Sequence, residues 1–170
     1  MLRFARLLGR WPVALACVGV LAAALLLPGL GRSGLWEPQE RQLADKVAWI
    51  TGAASGIGLA LAHRLAAENT RLVLVDIEAA PLAAAEAALQ AKGARTLAIR
   101  ADVSSASDVA AAAARARDHF GLVHIIVNNA GVGGGGGPMG QLTEADWDWT
   151  INVNLRGVTH AIRTLLPPLI

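Results

Sequence analysis

The chain reads as an α/β protein built on a doubly wound parallel sheet. Three observations on its 170 residues predict this. Short apolar strands alternate with alanine-rich helices four times, a glycine-rich turn joins the first strand to its helix, and an acid closes the second strand. Such alternation implies parallel strands, right-handed crossovers and helices on both faces of the sheet.

Each element has a local cause. KVAWI (46–50) is a short apolar strand, and ITGAASGIGLA (50–60) carries the chain through Gly52, Gly56 and Gly58 into the helix LALAHRLAAE. RLVLVDI (71–77) is a β-branched strand that ends in an acid, and APLAAAEAALQAKG is a helix stopped by Gly93. RTLAIRADV (95–103) is the third strand, and the Ser/Asp start signals of SSASDVAAAAARARDHFG open a helix that ends at Gly121. VHIIV (123–127) is the fourth strand, followed by the glycine-rich loop NNAGVGGGGGPMGQL. From Thr143, TEAD reads as a capping box opening a last helix that runs towards Pro167. The near-continuous apolar strands fit a sheet covered on both sides.

Ahead of this domain (46–170) lie an apolar segment (1–32) and a linker (33–45). WPVALACVGVLAAALLLPGLG, residues 11–31, is uncharged and as a helix would reach ~31 Å, the thickness of a bilayer's hydrocarbon core. Arginines outside both ends and Trp11 at one suit the interfacial zones, so a single-pass membrane anchor is the expectation. A secretory signal cleaved after Ala22-x-Ala24 and an overextended gene start are the alternatives, the last leaving a cytoplasmic protein.

Charge excludes one partner class. Residues 1–32 hold four arginines and no acid, whereas the rest holds 11 basic and 13 acidic side chains, no footprint for a nucleic acid. Cys17 is the single cysteine, and the four histidines show no ligand-like spacing, so no metal site is expected.

A glycine turn between strand and helix gathers backbone N–H groups at the positive end of a helix dipole, which suits a pyrophosphate. Asp76 follows Gly58 about where an acid would take the two hydroxyls of an adenosine ribose. No lysine follows the glycines, so this is no Walker loop. A methyltransferase on a similar sheet also uses an acid after its second strand and is a weaker alternative.

TGAASGIG (51–58), ADV (101–103), NNAG (128–131) and NVNLRG (152–157), in this order and spacing, resemble the signatures of the single-domain short-chain dehydrogenase/reductase family. The resemblance covers about residues 46–170. It implies that Gly52, Ser55, Gly56, Ile57 and Gly58 line the pyrophosphate turn, that Asp76 holds the adenosine ribose, and that Asp102 and Val103 flank the adenine. It places Asn129, Ala130 and Gly131 at the nicotinamide ribose, has Asn128 tie the sheet together, and assigns Asn154 to the catalytic tetrad. The plain alternative for Asn154 is an asparagine that bends a helix. Asp76, backed by Glu78 and by no base at 53–55 or 77–78, favours NAD over NADP. His124 departs from the family, which usually carries an acid there. The five-glycine run 133–137 suggests a loose loop.

The resemblance implies hydride transfer between a nicotinamide and an alcohol or carbonyl substrate, with a tyrosine beside a lysine as the acid–base group and a serine holding the substrate oxygen. The chain has no tyrosine, and its two lysines, Lys46 and Lys92, lie in other segments. The chain as given is therefore expected to represent the N-terminal portion of such an enzyme and to be catalytically incomplete. The alternative is a membrane-anchored dinucleotide-binding protein without catalysis. VHIIV is expected to form an apolar sheet edge open to a partner chain. Family members are often dimers or tetramers, so a homo-oligomer is an open expectation.

Overall fold

The computed structural model describes residues 42–169, so the expected membrane segment 11–31 and most of the linker lie outside the described residues. Among the described residues no helix is long and apolar enough to cross a membrane. Four strands, β1 (Val47–Thr51), β2 (Arg71–Asp76), β3 (Thr96–Arg100) and β4 (Ile125–Val127), form one parallel sheet in the order β3-β2-β1-β4. The helices are α1 (Gly56–Ala67), α2 (Ala79–Gln90), α3 (Ala106–Phe120), α4 (Glu144–Ile151) and α5 (Gly157–Leu165). The doubly wound parallel sheet expected from the alternation is the fold observed.

The period of two along a strand sends neighbours to opposite faces. Val47 and Trp49 of β1 join Val73 and Val75 of β2 under α3 and α5, where Val109, Ala113, Ala161 and Leu165 close the layer. Ala48 and Ile50 join Leu72 and Leu74 on the other face, under Ala62 and Leu65 of α1 and Leu82 and Leu89 of α2. Small alanines on the helices let them sit close to the sheet. Each fully buried leucine or isoleucine in these layers contributes about 1.5–3 kcal/mol.

Two strands are shorter than the sequence predicts, for visible reasons. Beyond Arg100, Ala101 still donates to the Asp76 carbonyl at 3.0 Å, but Ser104 then folds back onto the Asp102 carboxylate and turns the chain away. At the start of β4, the His124 N–H donates to the Val47 carbonyl at 2.8 Å while the Val47 N–H donates to His124 Nδ1 at 3.1 Å. An imidazole thus supplies a rung that a backbone carbonyl would otherwise provide. An acceptor is what the position needs, and the His124 ring supplies it where the family resemblance implies an acid. Accepting at Nδ1 fixes the neutral ring, protonated at Nε2. Its pKa lies below the ordinary 6.5, first because burial penalises the charged ring and then because Lys46 and Arg71 repel it.

The predicted helix ends hold. Ser105 caps α3 by accepting the Asp108 N–H, and Gly121 ends it with φ +80°. Thr143 and Asp146 form the reciprocal capping box of α4, and the Thr143 bonds hold the Asp146 carboxyl below its usual pKa range. The last helix is not continuous as expected. A π turn (Asn152–Arg156), closed by the Gly157 N–H on the Asn152 carbonyl, separates α4 from α5. The outer edge of β3 is covered, because Glu86 of α2 accepts the Ala98 N–H at 2.7 Å. Among the described residues β4 pairs with β1 alone and forms the other edge.

Candidate functional site

A cleft of about 630 Å³ opens at the C-terminal ends of the strands, where β1 and β4 diverge. Strand order reverses there, which is where open parallel sheets bind ligands. Ten of the residues singled out from sequence line it: Gly52, Ser55, Gly56 and Ile57 from the turn after β1, Asp76 from β2, Asp102 and Val103 after β3, and Asn129, Ala130 and Gly131 after β4. Gly58 and Asn154 do not.

The three turn glycines answer to three constraints. Gly52 has φ +63°, and a Cβ on it would lie 2.9 Å from the Ala130 Cα and from Asn129 Nδ2. Gly56 has φ +52°, with nothing within 4 Å of a Cβ, so its surface is open to the cleft. Gly58 is a packing residue. A Cβ there would lie 2.1 Å from the Gly52 carbonyl oxygen, so within the turn Gly58 permits the close approach of helix and turn. Ser55, at the N-cap of α1, makes no side-chain capping bond, and no acid occupies the first turn. The free N–H groups at that end are therefore left for an anion.

Both cleft acids are oriented by backbone. The Asp76 carboxylate accepts the Ala54 N–H and the Glu78 N–H, each at 3.0 Å, one on each oxygen. Each oxygen keeps a lone pair, a suitable pair of acceptors for vicinal hydroxyls. Asp102 Oδ1 accepts both the N–H and the hydroxyl of Ser104, at 2.8 and 2.7 Å, which leaves Oδ2 for a donor in the cleft. Glu78 also lines the cleft, and among the described residues no lysine or arginine does. Arg100, the nearest cation in sequence to these acids, has its Nε on the Ile77 carbonyl at 3.2 Å.

Of the two asparagines after β4, Asn129 makes the tie expected of Asn128. Its Nδ2 donates to the carbonyls of Thr51 and Gly52 at 3.0 and 3.1 Å. Asn128 Oδ1 is buried with no hydrogen-bond partner among the described residues. Asn154, in the π turn, clasps Val132 from both sides: its Oδ1 accepts the Val132 N–H at 2.8 Å and its Nδ2 donates to the Val132 carbonyl at 2.9 Å. Within the glycine run, only Gly135 is tightly approached, 2.8 Å from the Asp146 carboxyl for a Cβ. Sequence reasoning missed Ile77, Ala101, Ser104, Val132, Trp149 and Val153 as cleft residues.

The sheet, the glycine turn and the acid at the end of β2 define a Rossmann-like α/β domain. A family profile described as short chain dehydrogenase matches residues 46–170, and the chain belongs to that family. It is 41% identical over 115 residues to the (2S)-[(R)-hydroxy(phenyl)methyl]succinyl-CoA dehydrogenase subunit BbsD of Thauera aromatica, covering 68% of this chain and 46% of the relative. It is 39% identical over 127 residues to the levodione reductase of Leifsonia aquatica, covering 74% and 48%. Among solved structures, a short chain dehydrogenase/reductase from Burkholderia phymatum in complex with NAD superposes with a TM-score of 0.72 at 42% identity, over 74% of this chain and 44% of that one. A metagenomic short-chain oxidoreductase in complex with NADP gives 0.71 at 36%, over 74% and 57%. The chain spans about half the length of the curated relatives it matches.

Proposed function

We propose that the cleft binds a nicotinamide dinucleotide, NAD in preference to NADP, in the service of oxidoreduction of an alcohol or carbonyl substrate. The observation that carries this reading is Asp76, held by two backbone N–H groups on a cleft wall with no cation among the described residues. The residues fit the group. The open surface of Gly56 and the uncapped start of α1 suit a pyrophosphate, and the two free lone pairs of Asp76 suit the adenosine ribose. A 2′-phosphate would meet Asp76 and Glu78 instead, two acids with no lysine or arginine beside them in the cleft lining among the described residues. Solved relatives in complex with NAD and with NADP support the cofactor class, not the choice between the two.

When bound, the nicotinamide supplies hydride donation or acceptance at the substrate carbon. This chain's own residues bind and orient: α1 holds negative charge, Asp76 and Asp102 accept from the adenosine half, and Asn154 fixes the Val132 backbone beside the cleft. We assign Asn154 to the family's tetrad as a positioning residue. In this family the proton on the substrate oxygen is handled by a tyrosine, and these 170 residues contain no tyrosine. Dinucleotide binding without turnover is therefore the activity proposed for them.

Calorimetric titration of the full chain with NAD and NADP tests the reading. NAD binding tighter than NADP, with the gap narrowed in Asp76→Ala, is the expected result. Failure to bind either nucleotide would overturn the cofactor class, and tighter NADP binding would overturn the choice.

A further inference from the structure

We propose that Trp149 is the base-stacking wall of the cleft, placed to cover the adenine of the bound dinucleotide. This inference rests on the dinucleotide reading above. Helix α4 buries none of its residues, so Trp149 is no core anchor. It is 50% exposed, yet it lines the cleft, together with Val132 and Val153. Trp147, two residues earlier and 39% exposed, does not line it. An indole has no use for solvent at such a position, whereas a purine face would cover it.

The placement at the adenine end follows from the stripe that Trp149 shares. Residues 149 and 153 are four apart and both line the cleft wall, as helical neighbours should. The stripe continues to Gly157, which has no side chain because a Cβ there would lie 2.9 Å from Val103 Cγ2. One turn further, His160 Nδ1 lies 3.1 Å from the Val103 carbonyl oxygen. The wall thus starts at Val103, beside Asp102, and runs outward through Val153 to Trp149. Asp102 Oδ2 offers an acceptor at the edge of that space, suited to an exocyclic amine, while Trp149 offers a face. Edge recognition by a carboxylate and face recognition by an indole are complementary demands of one base.

The experiment is calorimetric titration of the full chain with NAD and, separately, with AMP. The variants are Trp149→Leu, Trp149→Phe and the control Trp147→Leu. Trp149→Leu is expected to weaken NAD and AMP by the same factor, about 5- to 10-fold, the lower part of the range for base–aromatic stacking because the indole is half exposed. Trp149→Phe keeps an aromatic face and should stay within about 2-fold of the parent. Trp147→Leu changes the same helix away from the cleft and should bind as the parent does. AMP affinity unchanged in Trp149→Leu would overturn the proposal, as would a loss of equal size in Trp147→Leu. If the parent chain binds neither nucleotide, the dinucleotide reading itself fails, which is a different result from a parent that binds and a variant that binds equally well.

Discussion

Replacing Gly58 by alanine adds one carbon where the fold has no room for it. An ideal Cβ at that position lies 2.1 Å from the Gly52 oxygen, 2.6 Å from Asn129 Nδ2 and 2.9 Å from the Gly52 carbonyl carbon. Two of these three atoms are backbone of the turn, which cannot swing aside like the end of a side chain. The third is the amide that bonds the Thr51 and Gly52 carbonyls. Helix propensity alone would favour alanine by about 1 kcal/mol. Against it stand overpacking, about 1–3 kcal/mol, and the two Asn129 bonds, about 0.5–1.5 kcal/mol each. The net expectation is a destabilisation of about 1–5 kcal/mol. Gly56→Ala is the matched control, since it meets nothing within 4 Å and carries only the strain of φ +52°, about 1–2 kcal/mol. Urea denaturation of the full chain should rank the parent above Gly56→Ala and that variant above Gly58→Ala. A Gly58→Ala protein as stable as the parent would refute the reasoning from close approach.

His124 makes a pH prediction with a definite sign. Its folded pKa lies below 6.5, so above 6.5 the ring is neutral folded or unfolded and its contribution is complete. As pH falls below 6.5 the unfolded chain takes up a proton that the folded ring resists, and stability is lost down to the folded value. His124→Gln keeps an acceptor for the Val47 N–H and does not titrate there, so it should lose less stability between pH values about one unit above and about one unit below 6.5. Equal losses in parent and variant would remove His124 as the cause. Asn154→Ala deletes both bonds to Val132, neutral bonds worth about 0.5–1.5 kcal/mol each. Hydrogen exchange at the Val132 amide should quicken, and unchanged protection would mean that the clasp does not hold that loop.

The sheet, its crossovers and the glycine turn were legible because each depends on nearest neighbours in sequence: period-two apolar strands, a capping box at Thr143, a glycine ending α3. The site was legible where a motif named it. What escaped needed information that a motif lacks. Successive residues leaving a strand point in opposite directions, so NNAG does not say which asparagine turns towards Thr51, and Asn129 rather than Asn128 does. NVNLRG does not announce a π turn, which interrupts the helix expected to run from Thr143 towards Pro167. Strand lengths were overestimated where a side chain, His124 or Asp102, took a hydrogen bond that the strand rule assigns to backbone.

Thr51 shows how the cleft is held before any ligand arrives. The residue is 3% exposed, and its hydroxyl uses every site it has: Oγ1 donates to the Val127 carbonyl at 3.4 Å and accepts the N–H groups of Asn129 and Ala130 at 3.0 Å each. Asn129 returns the contact through its own amide to the carbonyls of Thr51 and Gly52. The turn after β1 and the loop after β4 are thereby one unit, locked by the buried Thr51 hydroxyl and by the Asn129 amide at the cleft wall. Asp102 stands apart from this unit on Ser104, whereas Asp76 is bonded to the turn after β1 through the Ala54 N–H as well as to Glu78. Removing the Asp76 carboxylate changes what the cleft recognises and frees the Ala54 N–H, while the bonds between Thr51, Gly52, Asn129 and Ala130 do not involve it. Gly58 is different in kind. A side chain there strikes the Gly52 carbonyl and the Asn129 amide together, so it breaks the unit at the point where both loops meet.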